Sequence, residues 1–302
     1  MRIRVLAAAI ALGLLTGCVQ PPTTPSASPS LSEVSVDLTE PGHARIMVRR
    51  LIAKAGSRDL IQVEITKDWA AITVVKNNQA ETWAWRDNTI KQVQSDVAYV
   101  QQKIFNIEDF NINDVGALFR SAAGISGSDS SQQLQIVDSS AGEVFMSVST
   151  NPESRTVFFN PDGSLLPTLD FNTESGIEGG LEDVAGPRVT ALAIGIQSNL
   201  GAWLDFPGST TTTIRRLRTS SVPVTINERS QRPELPLFGV SRVHSEAIWK
   251  VLDTARARGE FDGDTSWQVT IDDRARLGTP HMYFTIGRES FETNLAGEPI
   301  TP

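Results

Sequence analysis

At 302 residues, with 40% hydrophobic and 21% charged positions, the chain is long enough for one or two compact domains with sizeable cores. Its formal net charge of −8 argues against nucleic-acid binding and against a general polybasic attraction to anionic lipid. A single cysteine excludes internal disulfides, so stability has to come from packing.

Arg2 and Arg4 open the chain with positive charge, residues 5–15 form an uninterrupted apolar run, and the small residues Thr16 and Gly17 precede Cys18. This is the three-part layout of a secretory signal. The apolar run is too short to span a bilayer, which takes about 20 residues. The order Leu15-Thr16-Gly17-Cys18 resembles the lipobox of bacterial prolipoproteins. That resemblance implies a signal peptide over 1–17, cleavage between Gly17 and Cys18, and a diacylglycerol on the Cys18 thiol. The membrane is then a partner through that lipid, and the protein faces away from the cytoplasm. One acyl chain holds weakly and two or more hold stably, because each buried methylene contributes about 0.8 kcal/mol. The plainer alternative is an ordinary secretory signal with an incidental cysteine.

Residues 18–33 are rich in Pro, Ser and Thr and predict a disordered tether. Ordered structure is expected from about residue 34. Ala44, Met47, Val48, Leu51 and Ala55 fall at helical spacing with Gly56 as a stop. Residues 60–66, 69–76 and 81–87 read as strands, and a turn at Asp87-Asn88 leads to a short strand over 90–93. The order then returns. Val115, Leu118, Phe119 and Ala122 form a helix stripe opened by Asn113 and Asp114, followed by strands over 133–138, 143–149 and 155–160.

A weaker copy places Val189, Leu192, Ala193 and Ile196 on a helix, with strands over 202–206, 211–218 and 223–227. A last copy has Ser245 capping a helix that carries Ile248, Val251, Leu252 and Ala255, then strands over 266–272, 282–287 and 290–293. The expected fold is α+β. Tandem helix-plus-three-strand antiparallel units form two pairs, a first domain over 34–168 and a second over 186–302, joined by an acidic, glycine-rich linker over 169–185. Pairing is favoured because one helix on three strands has a small core and two free edges. In element order alone, the units resemble PepSY domains and BamE-like envelope lipoproteins.

The usual catalytic signatures are absent. His43, His244 and His281 have no second His or Cys at metal-ligand spacing, and HExxH, GxSxG, GxxxxGK[ST] and GxGxxG do not occur. No cofactor is expected. Asp262, Asp264, Asp272 and Asp273 could hold a cation or act as an acid–base pair in an extracytoplasmic hydrolase, but Asp262-Gly263-Asp264 lacks the later residues of a calcium loop and reads equally as turn chemistry. Trp83 and Trp85 project from one face of a strand. With Trp69 they form a candidate aromatic platform for sugar, peptide or lipid, against the ordinary alternative of core residues. The run at 210–213, followed by Arg215, Arg216 and Arg218, reads as a charge-protected edge strand. Lipobox, repeat and missing catalytic set lead to a membrane-anchored, non-enzymatic binding module for a protein or cell-envelope component. A hydrophobic-ligand carrier is the alternative, suggested by residues 70–75, which are apolar on both faces of their strand.

Overall fold

A computed structural model describes residues 36–95, 102–140, 143–150, 155–259, 262 and 265–300. The lipobox residues Gly17 and Cys18 and the tether lie outside them, as does Asp264. From Ser35 onward the chain forms one compact unit.

The chain is α+β, with helices packed on antiparallel sheets. Helix α1 (His43–Ala55) buries Ala44, Met47, Val48, Leu51 and Ala55, the stripe read from the sequence. It stops at Gly56, whose left-handed φ of 71° lets its N–H close back on the Ile52 carbonyl. Four strands follow: β1 (Leu60–Ile65), β2 (Ala70–Lys76), β3 (Gln79–Arg86) and β4 (Thr89–Val93). Asn77-Asn78 and Asp87-Asn88 both sit at positive φ, so the β2–β3 and β3–β4 hairpins close in the two-residue turns that match strand twist.

Helix α2 (Val115–Ser126) is capped by Asp114, whose carboxylate accepts from Ala117 N at 2.7 Å. Strands β5 (Gln133–Ser140), β6 (Glu143–Ser149) and β7 (Val157–Phe159) complete a seven-stranded sheet in the order β4-β3-β2-β1-β5-β6-β7. The first core lies between one face of this sheet and helices α1 and α2. Val63, Ile72, Leu134, Ile136 and Met146 meet Val48, Leu51, Leu118 and Phe119 there.

The second half departs from the sequence reading at its start. The segment expected to be a linker contains helix α3 (Glu174–Ala185). Thr173 caps it, its hydroxyl accepting from Gly176 N at 3.1 Å. Its glycines serve close packing rather than flexibility: a Cβ on Gly180 would lie 2.4 Å from the Phe171 ring and 3.1 Å from Ala202 Cβ. The stripe assigned to a helix over 189–196 instead forms β8 (Thr190–Ala191) and β9 (Ala193–Gln197). Residues 191–196 are buried on both faces, and a strand covered on both sides reads as an unbroken apolar run that also satisfies helical spacing.

Strands β10 (Gly201–Pro207), β11 (Thr213–Arg218) and β12 (Thr225–Arg229) follow. Next come the short β13 (Phe238–Gly239), which pairs with β8, and helix α4 (Ser245–Ala257). Ser245 is the first helical residue and not the cap; His244 holds that position without a side-chain hydrogen bond. Strands β14 (Trp267–Asp272), β15 (His281–Ile286) and β16 (Glu289–Thr293) finish a second sheet in the order β12-β11-β10-β9-β14-β15-β16. Trp267 is buried in this second core, with its indole N–H 3.0 Å from Asn172 Oδ1, and Trp249 packs against its edge.

Strand β11 is therefore internal rather than an edge, and two of its arginines are buried. Arg216 donates to the Val184 carbonyl at 2.8 Å and the Asp183 carbonyl at 3.1 Å, satisfying the last turn of α3, and to Glu143 of the first sheet at 3.0 Å. Arg218 donates to the Pro167 carbonyl at 2.6 Å and Asp183 Oδ2 at 2.7 Å. The two halves are joined through these arginines and the chain between β7 and α3.

Candidate functional site

Strands alternate their side chains between faces, so each sheet has a helix-covered face and an outer face. On the first sheet the outer positions near the centre are small: Ala71 and Thr73 on β2, Thr82 and Ala84 on β3. Ala71 pairs with Ala84 and Thr73 with Thr82. The two threonine hydroxyls are 3.0 Å apart. Larger residues stand around this floor, with Gln62 and Glu64 on β1, Trp69 and Arg86 at one end, and Lys91 on β4. Small side chains inside a ring of large ones leave a cleft of about 550 Å³.

Its walls are polar and oriented. Glu64 Oε1 accepts from the amides of Gln133 and Gln135, each at 3.0 Å, which fixes the carboxylate along the wall. The Arg86 guanidinium lies 5.7 Å from the Trp69 ring centre, a cation–π approach that steadies the indole. The cleft thus combines one aromatic ring with planar hydrogen-bonding groups and hydroxyls, a set that recognises flat-faced polar ligands.

The three tryptophans do not form one platform. Trp85 is buried in the first core and Trp83 packs against it, because alternation places both on the helix-covered face of β3. Trp69 alone reaches the outer face, where it lines the cleft. The signal that points to the cleft is the alternation of small residues on β2 and β3, which carries no motif.

The acidic cluster also divides. Asp262 Oδ1 accepts from Thr265 N at 2.9 Å and Thr265 Oγ1 at 2.6 Å, a turn role. Asp272 holds Arg274 through two oxygens at 2.8 and 2.7 Å. Asp273, on the opposite face, accepts from Leu277 N and Gly278 N at 2.8 and 2.9 Å. These carboxylates are buried or turn-bound and do not converge on a cleft. Among the described residues no group of three or more His, Cys, Asp or Glu side chains could hold a metal ion.

The outer face of the second sheet is filled. Trp203 lies across β9 at Gly195, where a Cβ would be 2.3 Å from its ring. Arg215 stacks on Trp203 at 3.7 Å and grips Asp205 at 2.7 and 2.8 Å, and Arg229 adds a third contact to Asp205 at 2.8 Å. Beside them Arg274 stacks on Tyr283 at 3.8 Å. Its pairing with Asp272 holds the guanidinium above its ordinary pKa. Burial, with Glu292 and Asp272 nearby, pushes the Tyr283 phenol up. His281 Nδ1 meets the Glu292 carboxylate.

No protein-family model and no curated protein matches the sequence. Among solved structures, a Helicobacter pylori beta clamp bound to a DNA ligase peptide aligns with 88% of this chain and 67% of its own, at 13% identity and a TM-score of 0.16. The H. pylori beta clamp in complex with 5-chloroisatin aligns with 84% of this chain and 63% of its own, at 9% identity and a TM-score of 0.15. At these scores neither fold nor function carries over.

Proposed function

We propose that this protein is a lipoprotein anchored outside the cytoplasm through a diacylglycerol on Cys18, and that it acts as a non-enzymatic binding module. Its ligand site is the outer face of the first sheet, and its ligand is a saccharide-bearing component of the cell envelope. The observation that carries the binding role is the cleft, in which Trp69 offers a stacking face and Gln62, Glu64, Arg86 and the Thr73–Thr82 pair offer hydrogen bonds around a floor too small to fill it. The hydrogen-bonding groups around the cleft support this reading over a hydrophobic-ligand carrier. The anchor rests on the lipobox and the charged-then-apolar leader. Among the described residues no helix is long and apolar enough to cross a membrane. The two sheets, which share one strand order, are read as paired copies of a single helix-and-strand design.

Two experiments test the parts separately. Titrating the protein with soluble cell-wall saccharides should quench tryptophan fluorescence, and Trp69→Ala should weaken binding at least tenfold, about 1.4 kcal/mol. Saccharide binding indifferent to Trp69 would remove the site. For the anchor, Cys18→Ala should abolish incorporation of labelled palmitate; label retained in that variant would remove the lipid.

A further inference from the structure

One row of paired residues runs across the strands through the first-sheet cleft. Lys91 on β4 pairs with Ala84 on β3, Ala84 with Ala71 on β2, Ala71 with Glu64 on β1, and Glu64 with Gln135 on β5. A lysine and a glutamate therefore stand on opposite walls with two alanines between them. Neighbouring strands lie about 4.8 Å apart, so three strand steps hold the two backbones about 14 Å apart. Neither side chain forms an ion pair with another described residue.

The two walls are opposite in hydrogen-bonding sense as well as in charge, because an ammonium only donates and a carboxylate only accepts. Glu64 is half-buried, and its Oε1 is taken by Gln133 and Gln135 while Oε2 is not. Lys91 is exposed. Arg86 and Asp87 also line the cleft. They are adjacent in the chain where β3 turns into β4 and opposite in sign, so they offset each other at the Trp69 end. Among the described residues these four are the charged ones that line it. The second sheet shows the alternative arrangement. There Arg215 and Asp205 pair directly across neighbouring strands and neutralise each other. In the first sheet the two alanines keep Lys91 and Glu64 apart, so neither neutralises the other.

We infer that the saccharide bound in this cleft is acidic and lies in one direction, its carboxylate against Lys91 and its hydroxyls donating to Glu64. The inference rests on the proposed function and narrows it, naming the ligand class and two residues that set specificity. A neutral saccharide would satisfy Glu64 and stack on Trp69 but leave the ammonium without a partner. An acidic one turned end for end would bring its carboxylate against Glu64, and like charges at contact repel. In the favoured direction both walls make hydrogen bonds with one charged member, which are the stronger kind.

The test titrates the full-length protein with two disaccharides, read by tryptophan fluorescence and calorimetry. Diacetylchitobiose is neutral, and N-acetylglucosaminyl-N-acetylmuramic acid adds a carboxylate to a similar framework. The acidic disaccharide should bind about fivefold more tightly, the upper range for an exposed ion pair, and added salt should shrink that advantage. Lys91→Gln should abolish the preference without changing affinity for the neutral disaccharide, and Lys91→Glu should reverse it. Glu64→Gln should weaken both ligands, because a neutral amide accepts less strongly than a carboxylate. Unchanged melting temperatures establish that the variants fold. Equal affinity for the two disaccharides, with Trp69→Ala weakening both, would overturn this inference and leave the proposed function standing. A preference for the acidic disaccharide that survives Lys91→Glu, or indifference of both ligands to Glu64→Gln, would also overturn it. Binding of neither disaccharide would overturn the inference and the saccharide reading together.

Discussion

Arg218 offers the sharpest test of how the second half is held together. Its side chain is 1% exposed, and its donors reach three places: the Pro167 carbonyl at 2.6 Å, the 219–222 turn through the carbonyls of Thr219, Ser220 (3.3 Å) and Val222 (2.7 Å), and Asp183 Oδ2 at 2.7 Å. Arg218→Ala removes the donors and leaves the acceptors. Asp183 is 43% exposed and can turn to water, so it contributes little to the loss. The Pro167 and Val222 carbonyls lose hydrogen bonds from a charged donor, worth about 1.5–3 kcal/mol each. Two such acceptors, with some water entering the void, give a loss of about 3–5 kcal/mol, in line with breaking a buried charged network. That is a large share of a stability of about 5–15 kcal/mol. Arg218→Lys keeps the charge but not the planar fork, and should lose more than half as much. Urea unfolding read by tryptophan fluorescence measures this, because Trp203, Trp249 and Trp267 report on the second half and Trp69, Trp83 and Trp85 on the first. A shift below about 1 kcal/mol in Arg218→Ala would refute the reasoning, because it would mean that water replaces every bond without loss.

Gly195→Ala should force the Trp203 ring off β9 and break its stack with Arg215, costing about 1–3 kcal/mol and red-shifting the Trp203 emission. Ala84→Trp should fill the floor of the first-sheet cleft as Trp203 fills its counterpart, abolishing saccharide binding while leaving the melting temperature nearly unchanged; binding that survives would move the ligand elsewhere. Burial pushes the Asp37 carboxyl up, but hydrogen bonds from Thr39 and the Lys67 ammonium together hold it below its ordinary value. Its contribution is therefore present above the unfolded value of about 3.9 and is lost as pH falls through the folded value, so Asp37→Asn should be less stable than wild type at neutral pH and converge with it in acid-unfolding curves.

Helices and hairpins with local signals were legible in the sequence. The α1 and α2 stripes, the Asp114 cap, the Gly56 stop and the Asp87-Asn88 turn each state their structure within a few residues. What failed was context. Glycines at 176, 179 and 180 read as a linker because glycine lowers helix propensity, but the helix needs at least one of them to approach Phe171 and β10 closely. Residues 189–196 read as helical because burial of 191–196 on both faces erases the period-two alternation that marks a strand. Arg216 and Arg218 read as surface charge because nothing local shows that they satisfy α3 and the 219–222 turn. The cleft is not legible in the sequence for a related reason. The tryptophan pair on β3 is the conspicuous feature, whereas the informative residues are Thr82 and Ala84 beside it and their partners Thr73 and Ala71 on β2.

The two sheets share a strand order but solve the outer face in opposite ways, and this contrast supports placing the proposed site on the first sheet. A sheet covered by helices on one side must either coat or use the other. The second sheet coats it with Trp203, Tyr283 and three arginines locked to Asp205 and Asp272. Each charge there is consumed by a neighbour, so little is left to recognise a ligand. The first sheet puts alanine and threonine at the corresponding central positions and leaves polar groups at the rim with room between them. Coating the cleft would have required only larger side chains at Ala71, Thr73, Thr82 and Ala84, positions that make no demand on the core. Small residues at four neighbouring outer positions, on a sheet whose counterpart shows how the gap is closed, are the basis for the proposed site.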